Sequence, residues 1–367
     1  MNSKERLQTA MAHEEPDRVP YMATFVPEVE MELKRRFASE IEHIRDAGEM
    51  KYQGMSALDI LFGHDMLLLT YGLSTGYYRD TPGETYWDEW GITWKKIPYR
   101  TPRGTGYYTE IVGFPLADER LLDSYRPPDP EGESMAYAEG LIAAYGREKY
   151  ICGIIDCSIF EALKYLRGIT QSLIDVVANK DLAHRIMDMS VDYHLKLGLK
   201  LIERGVDLLW LADDIGGEHA MLMSPETFRE MVKPKMGYMI GELKRKSPGV
   251  KVAFHSDGYI EPVIDDLVEV GIDLLNPIQP ESMDPAAIKK RYGRLLALWG
   301  TVSTQRTFPF GSPEEVRAEV GERIRTCAPG GGFLLAPTHN LQLDVPFENI
   351  RAFYDAVREL GAYPLRA

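Results

Sequence analysis

The feature that most constrains this chain is a repeated alternation. From residue 131 onward, apolar runs at 150–155, 208–212, 250–254, 272–275, 295–299 and 332–336 are each followed by a segment of helical periodicity. Short, continuously apolar runs between helices are the pattern of strands buried on both faces, as in a parallel sheet. Two earlier runs, 19–25 and 65–69, bring the number to eight, the count that closes a (β/α)8 barrel.

Local signals agree with that parse. A first helix is expected over 4–13, followed by a turn at Glu14-Glu15-Pro16-Asp17. Ser224-Pro225-Glu226 places a capping serine before proline, and Ser312-Pro313-Glu314-Glu315 adds a glutamate three residues after the cap. Between about 71 and 127 the pattern changes, with Tyr77, Tyr78, Trp87, Trp90, Trp94, Tyr107 and Tyr108 interleaved with Gly, Pro and Thr. This predicts aromatic-rich hairpins inserted into the barrel, either as packing or as a cover over its mouth, with Trp87 a candidate substrate contact. Without an internal repeat or low-complexity linker, 1–367 reads as one domain carrying that insertion.

Charge and composition exclude several functions. The formal charge of −14, from 56 acidic against 42 basic residues, opposes a phosphate backbone, so nucleic acid is not an expected partner. No run approaches the roughly 20 apolar residues that span a bilayer, and the first residues contain no apolar signal core, which predicts a cytoplasmic protein without membrane contact. Cys152, Cys157 and Cys327 form no CxxC and read as small core residues. Gly330-Gly331-Gly332 precedes a strand rather than following one, so it reads as a turn and not a phosphate cradle. The sequence leaves the oligomeric state open, a homodimer included.

In a parallel barrel the reacting groups collect where strands end. Asp156 follows the third run, Asp213 and Asp214 the fourth, His255 and Asp257 the fifth, Asn276 and Gln279 the sixth, Gly300 and Gln305 the seventh, and His339 the eighth. His255 and Asp257 share a face if the strand continues that far, and His339 lies three strands further round. Imidazole and carboxylate are zinc ligands, so His255, Asp257 and His339 are a candidate metal set; the alternative is a metal-free polar site in which the histidines orient an organic substrate and Asp257 is their partner or the catalytic base. One of Asp213 and Asp214 is expected to be functional, as catalytic group or supporting residue, with Gly216-Gly217-Glu218-His219 a source of a further ligand. Asp156, Asn276, Gln279 and Gln305 are candidate substrate contacts.

The order of Ala212-Asp213-Asp214-Ile215-Gly216, Ser224-Pro225-Glu226, Lys233-Pro234, His255-Ser256-Asp257-Gly258 and Asp273-Leu274-Leu275-Asn276-Pro277 resembles the uroporphyrinogen decarboxylase superfamily. Lys4-Glu5-Arg6, His13-Glu14-Glu15-Pro16-Asp17-Arg18-Val19-Pro20 and Trp87-Asp88-Glu89-Trp90-Gly91 extend the likeness over essentially the whole chain.

The superfamily holds cofactor-free porphyrinogen decarboxylases and zinc methyltransferases that work with a cobalamin-binding corrinoid protein. The decarboxylases carry an arginine-bearing segment that binds substrate carboxylates; the corresponding residues 21–30 here contain no arginine. The thiol-methylating enzymes show His-x-Cys and a distant Cys as zinc ligands, and His255, Asp257 and His339 occupy those places. Replacing thiolates by carboxylate and imidazole leaves zinc harder and more electrophilic, which suits an oxygen leaving group. The resemblance therefore implies methyl transfer from a small donor, a methoxylated aromatic preferred, to cobalamin on a corrinoid partner. A metal-free decarboxylase-like lyase, a thiol methyltransferase and a non-catalytic binder are the alternatives.

Overall fold

The computed structural model describes residues 1–44, 56–79 and 81–365. Its main element is a curled, wholly parallel sheet of seven strands: β1 (Met66–Gly72), β5 (Tyr150–Asp156), β6 (Leu208–Ala212), β7 (Lys251–His255), β8 (Leu274–Asn276), β9 (Ala297–Trp299) and β10 (Phe333–Leu334), neighbours in that order. The remaining strands, β2 (Thr85–Trp87), β3 (Thr93–Thr101) and β4 (Gly104–Gly113), form a separate antiparallel sheet, which is the expected aromatic-rich hairpin insertion.

The eighth barrel position differs from expectation. Residues 19–25 are extended but form only isolated parallel bridges, Tyr21 to Leu335 and Phe25 to Leu341. Pro20 has no N–H to give, and the Tyr21 N–H goes to the Asp65 carboxylate (3.0 Å), so no regular ladder can form. The segment nevertheless fills the gap: Tyr21 O accepts from Asp65 N (3.0 Å) beside β1, and Met22 N donates to Leu335 O (3.1 Å) beside β10.

Strand alternation sorts the core into two clusters. Leu68, Cys152, Ile154, Leu208, Ala253, Leu274 and Ala297 fill the barrel axis, plugged from below by Leu7, Ala10 and Met11 of the helix Ser3–Met11. The intervening residues, such as Leu67, Ile151, Leu209, Val252 and Leu275, pack outward under the helices. All three cysteines are buried and unbridged. Ser224 caps its helix through Thr227 N (3.1 Å), and Ser312 and Glu315 form a reciprocal capping box. Gly330, Gly331 and Gly332 all have left-handed φ (76°, 72° and 61°) and make the turn into β10. No described helix is long and apolar enough to cross a membrane.

Candidate functional site

A cavity of about 240 Å3 opens where the barrel strands end. The interior alternation that carries Ala253 into the axis brings His255, two residues on and last in β7, onto the same face. Its Nδ1 lies 2.7 Å from Asn276 Oδ1 at the end of β8, and the Asn276 amide donates to Trp299 O (3.1 Å), which fixes which way the amide points. In the neutral ring Nδ1 therefore carries the proton and Nε2 presents a lone pair to the cavity.

Two carboxylates face that nitrogen. Asp214 Oδ1 is 3.7 Å and Asp257 Oδ1 3.9 Å from His255 Nε2, too far for hydrogen bonds, and one ligand atom from each of the three lies within 4.8 Å of the others. Asp257 Oδ1 is buried without a hydrogen-bond partner. An orphaned carboxylate oxygen beside an imidazole lone pair is costly alone and is the donor arrangement a zinc ion completes. The residues present fit such an ion.

The two ligand loops are held together by backbone. Asp257 N donates to Asp214 Oδ1 (2.8 Å), Asp213 N to His255 O (3.0 Å), and Tyr259 N to Gly217 O (2.7 Å). A Cβ on Gly216 would meet Asp257 O at 2.4 Å, and one on Gly258, whose φ is 81°, would meet Gly217 O at 2.5 Å. Gly216 and Gly258 thus permit the approach that sets Asp214 against Asp257. The β7 strand stops at His255, so Asp257 reaches the site through this turn and not by continued alternation as expected.

Charge follows geometry. Burial opposes the charged form of His255, but the Asp257 and Asp214 carboxylates prevail and hold its pKa above the ordinary value. Asp257 is raised by burial, whereas for Asp214 the His255 and Lys164 charges outweigh burial and lower it.

The other expected site residues divide. Asp156, last in β5, lines the cavity and receives Ser74 Oγ at 2.6 Å; burial pushes its pKa up to about 7. His339 stands at the rim, exposed, with its ring centroid 6.5 Å from that of His255, outside the three-residue cluster. Gln279 supports the ligand turn by accepting from Gly258 N at 2.5 Å. Asp213 is turned away from the cavity: its carboxylate accepts from Ile159 N (3.0 Å) and Glu161 N (2.7 Å) and anchors the start of the helix Phe160–Arg167. Of the adjacent pair, Asp214 is the one at the cavity, because successive side chains point apart. Trp87, 68% exposed on β2, and the exposed Gln305, Glu218 and His219 are not brought to it.

The insertion divides too. Tyr77, Tyr78 and Tyr108 form one cavity wall, while Trp90 and Trp94 are buried packing. Sequence reading missed Glu161 and Tyr165, both on the cavity. Glu161 with Lys164 three residues later reads as a surface helix pair; only the fold turns that helix end into the barrel mouth.

The description "Uroporphyrinogen decarboxylase (URO-D)" matches residues 110–360 of the chain. The chain belongs to the uroporphyrinogen decarboxylase family. Among family members, the uroporphyrinogen decarboxylase of Psychromonas ingrahamii is 24% identical over 262 residues, covering 67% of this chain and 70% of that protein. That of Crocosphaera subtropica is 19% identical over 259 residues, 68% and 70% of the two chains. A methyltransferase from Methanosarcina mazei superposes over 98% of this chain and 99% of its own, with a TM-score of 0.69 at 20% identity, a likeness of fold.

Proposed function

We propose that this uroporphyrinogen decarboxylase family member transfers a methyl group from a small donor, a methoxylated aromatic preferred, to cobalamin carried by a partner corrinoid protein. The observation that carries the reading is the cavity lining: Asp156, Glu161, Asp214 and Asp257 face it with His255 and His339, and among the described residues no lysine or arginine lines it. A porphyrinogen bearing many carboxylates would meet repulsion there, and the part of segment 21–30 that lines the cavity contributes Met22, Ala23 and Thr24 and no arginine. The volume lies below the roughly 300–1,000 Å3 of sites that enclose drug-sized ligands, which suits a small donor.

His255, Asp257 and Asp214 would hold zinc, with His339 the further imidazole of the same cavity. Zinc bound there supplies Lewis acidity that weakens the bond between the donor's heteroatom and its methyl carbon. Asn276 keeps the His255 lone pair on Nε2, and the Tyr77, Tyr78 and Tyr108 wall orients an aromatic donor and keeps water from it. The fold shared with a methyltransferase agrees with this reading without deciding it, since fold does not select chemistry.

Metal analysis after purification without chelator should give about one zinc per chain. His255→Ala should abolish it and His339→Ala reduce it, with the circular dichroism unchanged. Anaerobic conversion of cob(I)alamin to methylcobalamin with methoxylated aromatics, methanol or methylamines should be seen, and coproporphyrinogen formation from uroporphyrinogen should not. A fully active metal-free enzyme would sink the zinc assignment; decarboxylation at the rate of an authentic decarboxylase would sink the whole reading.

A further inference from the structure

The four cavity carboxylates are not equivalent. Asp214 and Asp257 belong to the His255 cluster. Glu161 is committed: its Oε1 receives Lys164 Nζ (3.3 Å) and its Oε2 the Cys157 thiol (3.5 Å). Asp156 has neither kind of partner. It ends β5, two strands from His255, on the interior-facing column that runs through Cys152 and Ile154. Its one side-chain partner is the buried Ser74 hydroxyl on Oδ1, and no described lysine or arginine bonds to it. It also lies outside the group whose ligand atoms share a 4.8 Å space.

We propose that Asp156, oriented by Ser74, is the general acid that protonates the leaving heteroatom of the methyl donor; this rests on the methyl-transfer reading. The methyl carbon forms its new bond to the cob(I)alamin cobalt while its bond to the donor oxygen breaks. The electron pair of the broken bond stays on oxygen, and the proton on Asp156 Oδ2 passes to it, leaving Asp156 as carboxylate and releasing water from methanol or a phenol from a methoxyarene. Burial, which pushes this carboxyl up to about 7, keeps much of it protonated at neutral pH.

The test is leaving-group dependence in zinc-loaded enzyme with cob(I)alamin as acceptor. Asp156→Asn should lower kcat about 10²–10⁴-fold for methanol, whose hydroxide is a poor leaving group, yet less than about threefold for a methoxyarene that releases an acidic phenol. KM and zinc content should be unchanged, and Ser74→Ala should show the same trend more weakly. Infrared difference spectra of wild type against Asp156→Asn at about pH 6 should contain a protonated-carboxyl band. Equal loss on every donor, loss of zinc in Asp156→Asn, or absence of that band would overturn the assignment. Wild type inactive on all donors would instead overturn the methyl-transfer reading beneath it.

Discussion

Aspartates stand at both ends of the barrel strands, and the two ends treat them oppositely. Just before β1, the fully buried Asp65 is held by Arg6 and Arg18, each at 2.7 Å, and by Tyr21 N. Before β6, Asp207 pairs with Lys4 (2.8 Å) and accepts from Ile151 N; before β8, Asp273 pairs with Lys244 (2.8 Å) and Lys251 (3.2 Å). Where the strands finish, Asp156, Asp214 and Asp257 line a cavity that has no lysine or arginine among its described lining residues, and one oxygen of Asp257 is unpartnered. Compensated charge serves the fold, whereas the unpartnered oxygen of Asp257 is kept at a cost to stability.

The largest test compares one aspartate from each end. Asp65→Ala removes the fully buried carboxylate that joins Arg6, Arg18 and Tyr21 N, leaves the buried Arg6 with Asp17 alone, and should destabilise by about 3–5 kcal/mol. Asp257→Asn, measured by urea unfolding with chelator present, should change stability by less than about 1 kcal/mol or raise it, because it removes a carboxylate the fold does not satisfy. Equal losses in the two variants would break the comparison.

The next effect is opposite in sign at the two ends. Asp156, folded near 7 against roughly 4 unfolded, holds its proton more tightly when folded; its penalty is absent below about pH 4, grows between the two values and is complete above 7. Asp156→Asn should therefore gain stability relative to wild type as pH rises through this window, by at most about 4 kcal/mol. Asp17, paired with Arg6, has its carboxyl lowered by that guanidinium, so its contribution is present above about pH 4 and lost on acidification. Asp17→Asn should flatten the acid side of the stability profile, and the opposite result at either position would show the assignment of ends to be wrong.

The smallest effect is at residues lying outside both ends. Trp87→Ala and Gln305→Ala should leave methyl-transfer rates within about twofold and stability within about 0.5 kcal/mol, since both side chains are exposed and away from the cavity. A tenfold rise in KM for Trp87→Ala would mean that the hairpin edge touches the donor after all.

The strand runs after residue 131 were legible because burial on both faces leaves an unbroken apolar signal, and their observed ends at Asp156, His255 and Asn276 put polar residues at the mouth as the spacing implied. The first strand was legible only as an extended run, since Pro20 and the Asp65 side chain interrupt its ladder through contacts far away in sequence. Asp213 and Asp214 could not be told apart by type or position. One carboxylate meets the amides of Ile159 and Glu161 and the other faces His255, and that choice is made by neighbouring strands.

What the sequence by itself determined is the barrel, the hairpin insertion and the polar residues at the strand ends where the cavity opens, because periodicity and turn residues act locally. What only the tertiary structure decided is which carboxylates meet. Asp214 joins His255 and Asp257 because Gly216 and Gly258 let two loops approach to a distance no Cβ would allow, while His339 stays at the rim. Glu161 and Ser74 enter the cavity because β5 lies beside β1 and the helix after it begins at the mouth. Ligand sets and proton donors depend on separations of a few ångströms between residues distant in the chain, and those separations are properties of packing, which no local pattern encodes.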